Sequence, residues 1–264
     1  MSTKPTINNF IALKGNRKIV CLTAYSAPMA QALDPHCDLL LVGDSVAMVV
    51  YGMDTTQDAN LDMMIQHGQA VMRRRQSALV VIDLPEGSYE ESLEQALASA
   101  NEIIVKTGAD AVKLEGGANL APQVRYLVDN GIPVLGHIGL LPQHVAAGNS
   151  FRIAGRHAHE ASQLHADADA LVSAGVFGIV MEGIIEPVAT SIAQSCNVPT
   201  IGIGASAACD GQILVTDDIL GLYDAFTPKF VRKFANLQEE IAAAATDYRN
   251  AVIDGSFPTK DHLF

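Results

Sequence analysis

Apolar residues along this chain gather into short unbroken runs: KIVCLTA (18–24), DLLLVGDS (38–45), ALVVIDLP (78–85), AVKLEGG (111–117), PVLGHIGL (133–140), GIVMEGI (178–184) and PTIGIGA (199–205). Runs of this length without polar alternation predict parallel strands covered on both faces. An eighth, weaker strand is expected near Ile213, Leu214 and Val215. Between the runs the spacing turns helical. Residues 58–75 place Leu61, Ile65 and Met72 near one face, and 90–107 sets Leu93, Ala96, Leu97 and Ala100 against an outer face of Glu90, Glu91 and Glu94. Residues 119–129 and 157–174 repeat the pattern. Gly108, Gly131 and Gly175 stand where helices must stop, in the left-handed conformation that ends a helix before the next strand.

Seven clear strand–helix alternations and a weaker eighth, with no break in composition, predict one α/β domain over 1–264. Eight such units in 264 residues suit a (β/α)8 TIM barrel, typically of about 250 residues. A doubly wound open sheet is the rival, but no GxGxxG follows the first strand, and Gly202-Ile203-Gly204-Ala205-Ser206 comes late with the wrong spacing. Residues 1–17 are expected as an N-terminal segment capping the barrel bottom, and 228–264 as C-terminal helices, one or two of them between Pro228 and Arg249.

Composition narrows the function. The chain is 49% hydrophobic and 17% charged, which excludes disorder as a description of the whole. A formal net charge of −12 argues against nucleic-acid or anionic-membrane partners, and Arg73-Arg74-Arg75 is too short for a basic patch and reads as a helix-end decoration. Cys21, Cys37, Cys196 and Cys209 form no CxxC and no regular spacing, so neither zinc nor a disulfide framework is signalled. No apolar stretch reaches the length of a membrane span and the N-terminus lacks a secretory h-region; a soluble, cytoplasmic protein is expected.

The polar residues that interrupt the apolar runs collect at their carboxyl ends: Asp44 and Ser45, then Asp83, then Lys113 and Glu115, then His137, then Glu182. In a parallel barrel those ends open on one face, where loops build active sites. Each residue alone has a structural alternative: a helix N-cap for Asp44 or Asp83, a salt bridge for Lys113 with Glu115, a core imidazole for His137. Together they would be a costly cluster of buried charge without a ligand. Asp44, Asp83 and Glu115 offer hard oxygen donors with no cysteine or paired histidine nearby, the ligand type of Mg²⁺. Such an ion would leave positions for a chelating 2-oxo acid and acidify its adjacent C–H. Lys113 and His137 would neutralise or orient the substrate oxygens, and Glu182 remains free as general base. The enolate so formed needs an electrophile, which spacing does not name.

Several segments in order, LTAYSAPMA, LLVGDSVAMVVYGMDTT (40–56), DLPEGSY (83–89), GADAVKLEGG (108–117), GIPVLGHIGLLPQ (131–143), EGIIEP (182–187), VPTIGIGA (198–205), CDGQILV (209–215) and PKFVRKF (228–234), resemble the ketopantoate hydroxymethyltransferase family. The resemblance implies a barrel that binds one Mg²⁺ per subunit and 2-oxoisovalerate, uses 5,10-methylenetetrahydrofolate as one-carbon donor, and assembles as a homo-oligomer, commonly a decamer. By position, Asp44 and Asp83 match the metal carboxylates with Glu115 in or beside the shell. Ser45 with Asp44 matches the residues holding the oxo acid, Lys113 and His137 its other substrate contacts, and Glu182 the proposed base. The chain departs from the family pattern at Glu86, often Phe, and at Ser206, usually Gly; its loop 144–155, a candidate lid, is not a close copy. Phosphoenolpyruvate mutase and isocitrate lyase enzymes are similar in fold, but their KxCG-like loop cysteine is absent here. A barrel retaining the fold after losing activity is disfavoured because the whole polar set is kept.

Overall fold

The structure is a computed structural model that describes residues 5–145, 152–222 and 227–264. The chain divides into two compact units, one ending at Val215 and the other starting at Thr216. In the first, β1 (Ile19–Thr23), β2 (Leu39–Val42), β3 (Leu79–Asp83), β4 (Ala111–Glu115), β5 (Val134–Gly139), β6 (Gly178–Glu182), β7 (Thr200–Ile203) and β8 (Gly211–Leu214) pair in sequence order and close into a barrel. Every pairing is parallel, and Ile19 opposite Gly211 completes the ring. This is the expected (β/α)8 barrel, including the weak eighth strand.

The period-two alternation of a strand sorts these residues into two cores. Ile19, Cys21, Leu39, Leu41, Leu79, Val81, Ala111, Leu135, Val180, Ile201 and Ile213 point inward and pack together with Phe10 and Phe177. The intervening positions, among them Leu40, Val80, Ile82, Val112, Leu114, Ile179 and Met181, point outward to the helices. Helix α1 (Ile7–Ile11) delivers Phe10 against Phe177 edge to face, ring centres 5.7 Å apart, at the amino ends of the strands. Below β3, the buried carboxylate of Asp34 accepts backbone N–H groups of Gln76, Ser77 and Ala78 at 2.9–3.0 Å.

The surrounding helices are α2 (Ala27–Leu33), α3 (Val46–Val49), α4 (Leu61–Met72), α5 (Leu93–Thr107), α6 (Ala121–Asp129), α7 (Ala158–Ala174) and α8 (Glu186–Ser195). The side chain of Asn60 caps α4 and that of Ser92 caps α5, each accepting the N–H three residues on. Gly108 and Gly175 end α5 and α7 at φ +74° and +98°, and Gly131 follows α6 at +81°, as the sequence pattern requires. Arg73 caps the end of α4, while Arg75 reaches Asp110 at 2.8 Å. The four cysteines are free thiols, and burial pushes that of Cys21 far up.

The second unit contains α9 (Thr216–Leu220) and α10 (Leu237–Asp254). The stretch before Leu237 is not helical, in contrast to the helix expected from Pro228. The N–H groups of Phe234 and Ala235 both turn back to the carbonyl of Ile219, which diverts the backbone from helical bonding. No helix among the described residues is long and apolar enough to cross a membrane.

Candidate active site

The inward face of each strand changes character at its carboxyl end. Leu79 and Val81 lead to Asp83, Ala111 leads to Lys113 and Glu115, Leu135 to His137, and Val180 to Glu182, each step two residues. Sheet register then aligns Asp83 with Lys113 and Glu115 with His137. Asp44 and Ser45 join them from the turn after β2, where the Asp44 N–H donates to Oδ2 of Asp83 at 3.1 Å. All seven sequence-expected residues line one chamber of about 100 Å³ at the carboxyl end of the barrel, room for several waters or one small organic acid.

Charges alternate around it. Lys113 Nζ lies 3.2 Å from Asp83 Oδ2 and 3.6 Å from Glu115 Oε1. His137 Nδ1 lies 3.2 Å from the same Glu115 oxygen, and its Nε2 is 3.4 Å from Glu182 Oε2. Burial disfavours the imidazolium, but Glu115 outweighs it and pushes His137 up to about 9. Burial likewise opposes the Glu115 carboxylate, yet His137 and Lys113 hold it down at about 2. Lys113 is raised against the same burial by Asp83 and Glu115. Asp44 and Asp83 are driven the other way: burial raises both, Asp83 and Glu115 add to the rise at Asp44, and Lys113 only partly relieves Asp83.

Among the described residues no set of three or more His, Cys, Asp or Glu side chains stands ready to enclose a metal. Both oxygens of Glu115 are already engaged, one by His137 and Lys113 and the other by the N–H of Gln143 at 3.1 Å. Two carboxylates remain. Asp83 keeps Oδ1 buried with no hydrogen-bond partner, and Asp44 gives only Oδ2 to Gln143. Four carboxylates face two cations in this chamber, a formal excess of two negative charges. Two hard oxygen donors, completed by waters and substrate, are what Mg²⁺ commonly takes from a protein, so the donor set fits that ion.

Residues that no sequence pattern marks support the chamber wall or line it. Gln143, fully buried on the 3-10 turn Pro142–His144, donates Nε2 to Asp44 Oδ2 at 2.8 Å and to the Leu84 carbonyl at 3.0 Å. The Tyr89 hydroxyl donates to its Oε1 at 2.5 Å. Tyr25 shares a 2.7 Å hydrogen bond with the Ser45 hydroxyl and fixes it at the chamber wall. Thr56, on the 3-10 turn Thr56–Asp58, lines the chamber too. In the sequence Tyr89 and Gln143 only close the segments DLPEGSY and GIPVLGHIGLLPQ, and Thr56 the segment LLVGDSVAMVVYGMDTT. A lone uncharged polar residue on a turn carries no periodic signal.

The departures from the family pattern sit apart from the charged cluster. Glu86 is half-buried and Ser206 buried, and neither lines the chamber. The Ser206 hydroxyl lies 2.7 Å from that of Thr190 and 3.2 Å from Glu186 Oε1, tying the β7–β8 connection to α8. Of the candidate lid 144–155, residues 146–151 lie outside the described residues, and Ala154 pairs with Ile184 beyond β6.

Comparison with known proteins gives a consistent answer. The sequence profile described as ketopantoate hydroxymethyltransferase matches residues 4–260. A Rhizobium etli protein named 3-methyl-2-oxobutanoate hydroxymethyltransferase is 52% identical over 262 residues, 99% of this chain and 95% of its own. A Sinorhizobium fredii protein of the same name is 56% identical over 253 residues, 96% of this chain and 93% of its own. Among solved structures, a phosphonopyruvate hydrolase superposes with a TM-score of 0.65 at 11% identity, over 98% of this chain and 90% of that one. A 2,3-dimethylmalate lyase of the PEP mutase/isocitrate lyase superfamily gives 0.61 at 17% identity, over 99% and 92%. At such identities these two show the shared fold alone.

Proposed function

Because this chain belongs to the ketopantoate hydroxymethyltransferase family, and hydroxymethyl transfer is therefore its activity, we propose that the chamber binds Mg²⁺ and 2-oxoisovalerate and takes its one-carbon unit from 5,10-methylenetetrahydrofolate, forming ketopantoate for pantothenate synthesis. One observation carries this reading: two buried side-chain atoms on the wall of this chamber, Thr56 Oγ1 and Asp83 Oδ1, lack a hydrogen-bond partner. Buried polar atoms are seldom left unpaired unless a ligand completes them.

Asp44 and Asp83 would hold the ion, which supplies Lewis acidity toward the oxo acid's oxygens. Ser45, its hydroxyl fixed by Tyr25, binds the substrate carboxylate with Lys113 as the countercharge. Apolar residues opposite, Leu41, Val180, Ile203 and Ile213, receive the branched carbon skeleton. Glu182 takes the proton from C3, and His137 beside it holds the carboxylate in position. The resulting C3 nucleophile adds to the folate-borne methylene carbon; one water is consumed and tetrahydrofolate leaves. Family membership also supports a cytoplasmic homo-oligomer, a decamer by resemblance.

The test is direct. Purified protein supplied with Mg²⁺ and both substrates is expected to form ketopantoate, and Asp83→Ala to abolish it. Without folate, wild type should exchange the C3 hydrogen of 2-oxoisovalerate for deuterium, and Glu182→Gln should slow that exchange by about 100-fold or more. Equal exchange in the two would remove Glu182 as the base.

A further inference from the structure

Thr56 is 4% exposed, its Oγ1 is buried without a hydrogen-bond partner, and it lines the same chamber as Asp44, Ser45 and Lys113. The turn that carries it is clamped. Thr55 Oγ1 accepts the Gln57 N–H at 3.3 Å, the Ala59 N–H closes on the Thr56 carbonyl at 3.0 Å, and the Gln57 side chain donates to the Gln143 carbonyl at 2.8 Å. A β-branched side chain on such a turn has few rotamers with which to seek a partner elsewhere. Leaving a buried hydroxyl unpaired costs stability, and a valine of nearly the same shape would avoid that cost.

We infer that Thr56 is a substrate-binding residue, whose hydroxyl donates a hydrogen bond to an oxygen of the 2-oxo acid head group. This rests on the proposed use of the chamber for a small 2-oxo acid. A buried hydroxyl on the wall of a chamber that also holds Asp44, Asp83, Glu115 and Glu182, yet which bonds to none of them, is left to pair with an incoming acceptor. The oxo acid brings oxygens of that kind, and Lys113 and His137 already balance part of their charge.

The experiment compares wild type with Thr56→Val, Thr56→Ser and Thr56→Ala, measuring 2-oxoisovalerate binding by calorimetry in Mg²⁺ and thermal unfolding of the ligand-free proteins. Thr56→Val is expected to weaken binding about tenfold while unfolding at the wild-type temperature or above it. Thr56→Ser should bind within about threefold of wild type, because the hydroxyl is kept. Thr56→Ala supplies the binding result if the valine variant does not fold. Wild-type affinity in a folded valine or alanine variant overturns the inference, as does a valine variant that loses several degrees of stability with binding intact. If wild type itself fails to bind 2-oxoisovalerate, it is the proposed substrate that falls.

Discussion

Gln143 and Asp44, almost a hundred residues apart in sequence, are joined by a hydrogen bond of 2.8 Å from Nε2 to Oδ2. The amide cannot turn over, because Nε2 also serves the Leu84 carbonyl and Oε1 accepts from Tyr89. Gln143 thus dictates which oxygen of Asp44 is spent within the protein and which faces the chamber. Its own N–H engages Glu115 in the same way.

Replacing this amide should therefore damage the site without touching substrate. Gln143→Met, close in volume, is expected to weaken Mn²⁺ binding and lower kcat/KM by about 10- to 100-fold. Gln143→Glu should be worse, since it sets another acceptor against Asp44. Mn²⁺ titration followed by electron paramagnetic resonance reads the first effect independently of turnover. Unchanged Mn²⁺ affinity in a folded methionine variant would refute the role given to this residue.

Asp44 and Asp83 repel one another in a buried place, and burial raises both. Asp44→Asn should consequently be as stable as wild type, or more so, in the presence of a chelator. Mg²⁺ should stabilise wild type by about 2.7 kcal/mol at a hundred times its dissociation constant and leave the variant unmoved. Calorimetric melting across a Mg²⁺ series checks both statements. A variant that is less stable in chelator and still responds to Mg²⁺ would contradict them.

At the opposite end of the barrel, Asp34 gathers the N–H groups of Gln76, Ser77 and Ala78. Burial raises its carboxyl, but these bonds and the Ser77 hydroxyl win and hold it below the ordinary carboxylate range. Asp34→Ala should cost about 2–4 kcal/mol near neutral pH by leaving buried donors unpaired. A depressed carboxyl stabilises above its unfolded value and ceases to do so as pH falls through the folded one. The gap between variant and wild type should thus narrow from about pH 5 to about pH 2. Urea unfolding at several pH values measures it; a gap independent of pH would show that ionisation is not its source.

The barrel and its ionisable residues were legible in the sequence because a two-residue period carries both. Leu79-Val81-Asp83 and Ala111-Lys113-Glu115 alternate as strands must, so the positions that fill the barrel floor also aim the charges into its mouth. Asp44 was legible by its place after an apolar run, although it stands on a turn. Gln143, Tyr89 and Thr56 were not, since their roles depend on turns brought together only by closure of the barrel. Helices α2 and α3 escaped the periodic reading because each is short, Ala27–Leu33 with two turns and Val46–Val49 with one. The C-terminal stretch misled in the reverse sense: residues 228–236 have helical composition, yet the N–H groups of Phe234 and Ala235 go to the Ile219 carbonyl.

Phe10, edge-on to Phe177 beneath the apolar floor, has a kinetic corollary. With that end sealed, the chamber is a cul-de-sac, and whatever enters by the mouth must leave by it. For any two molecules that meet there the mouth is a shared route, so one bound across it blocks the exchange of the one seated below.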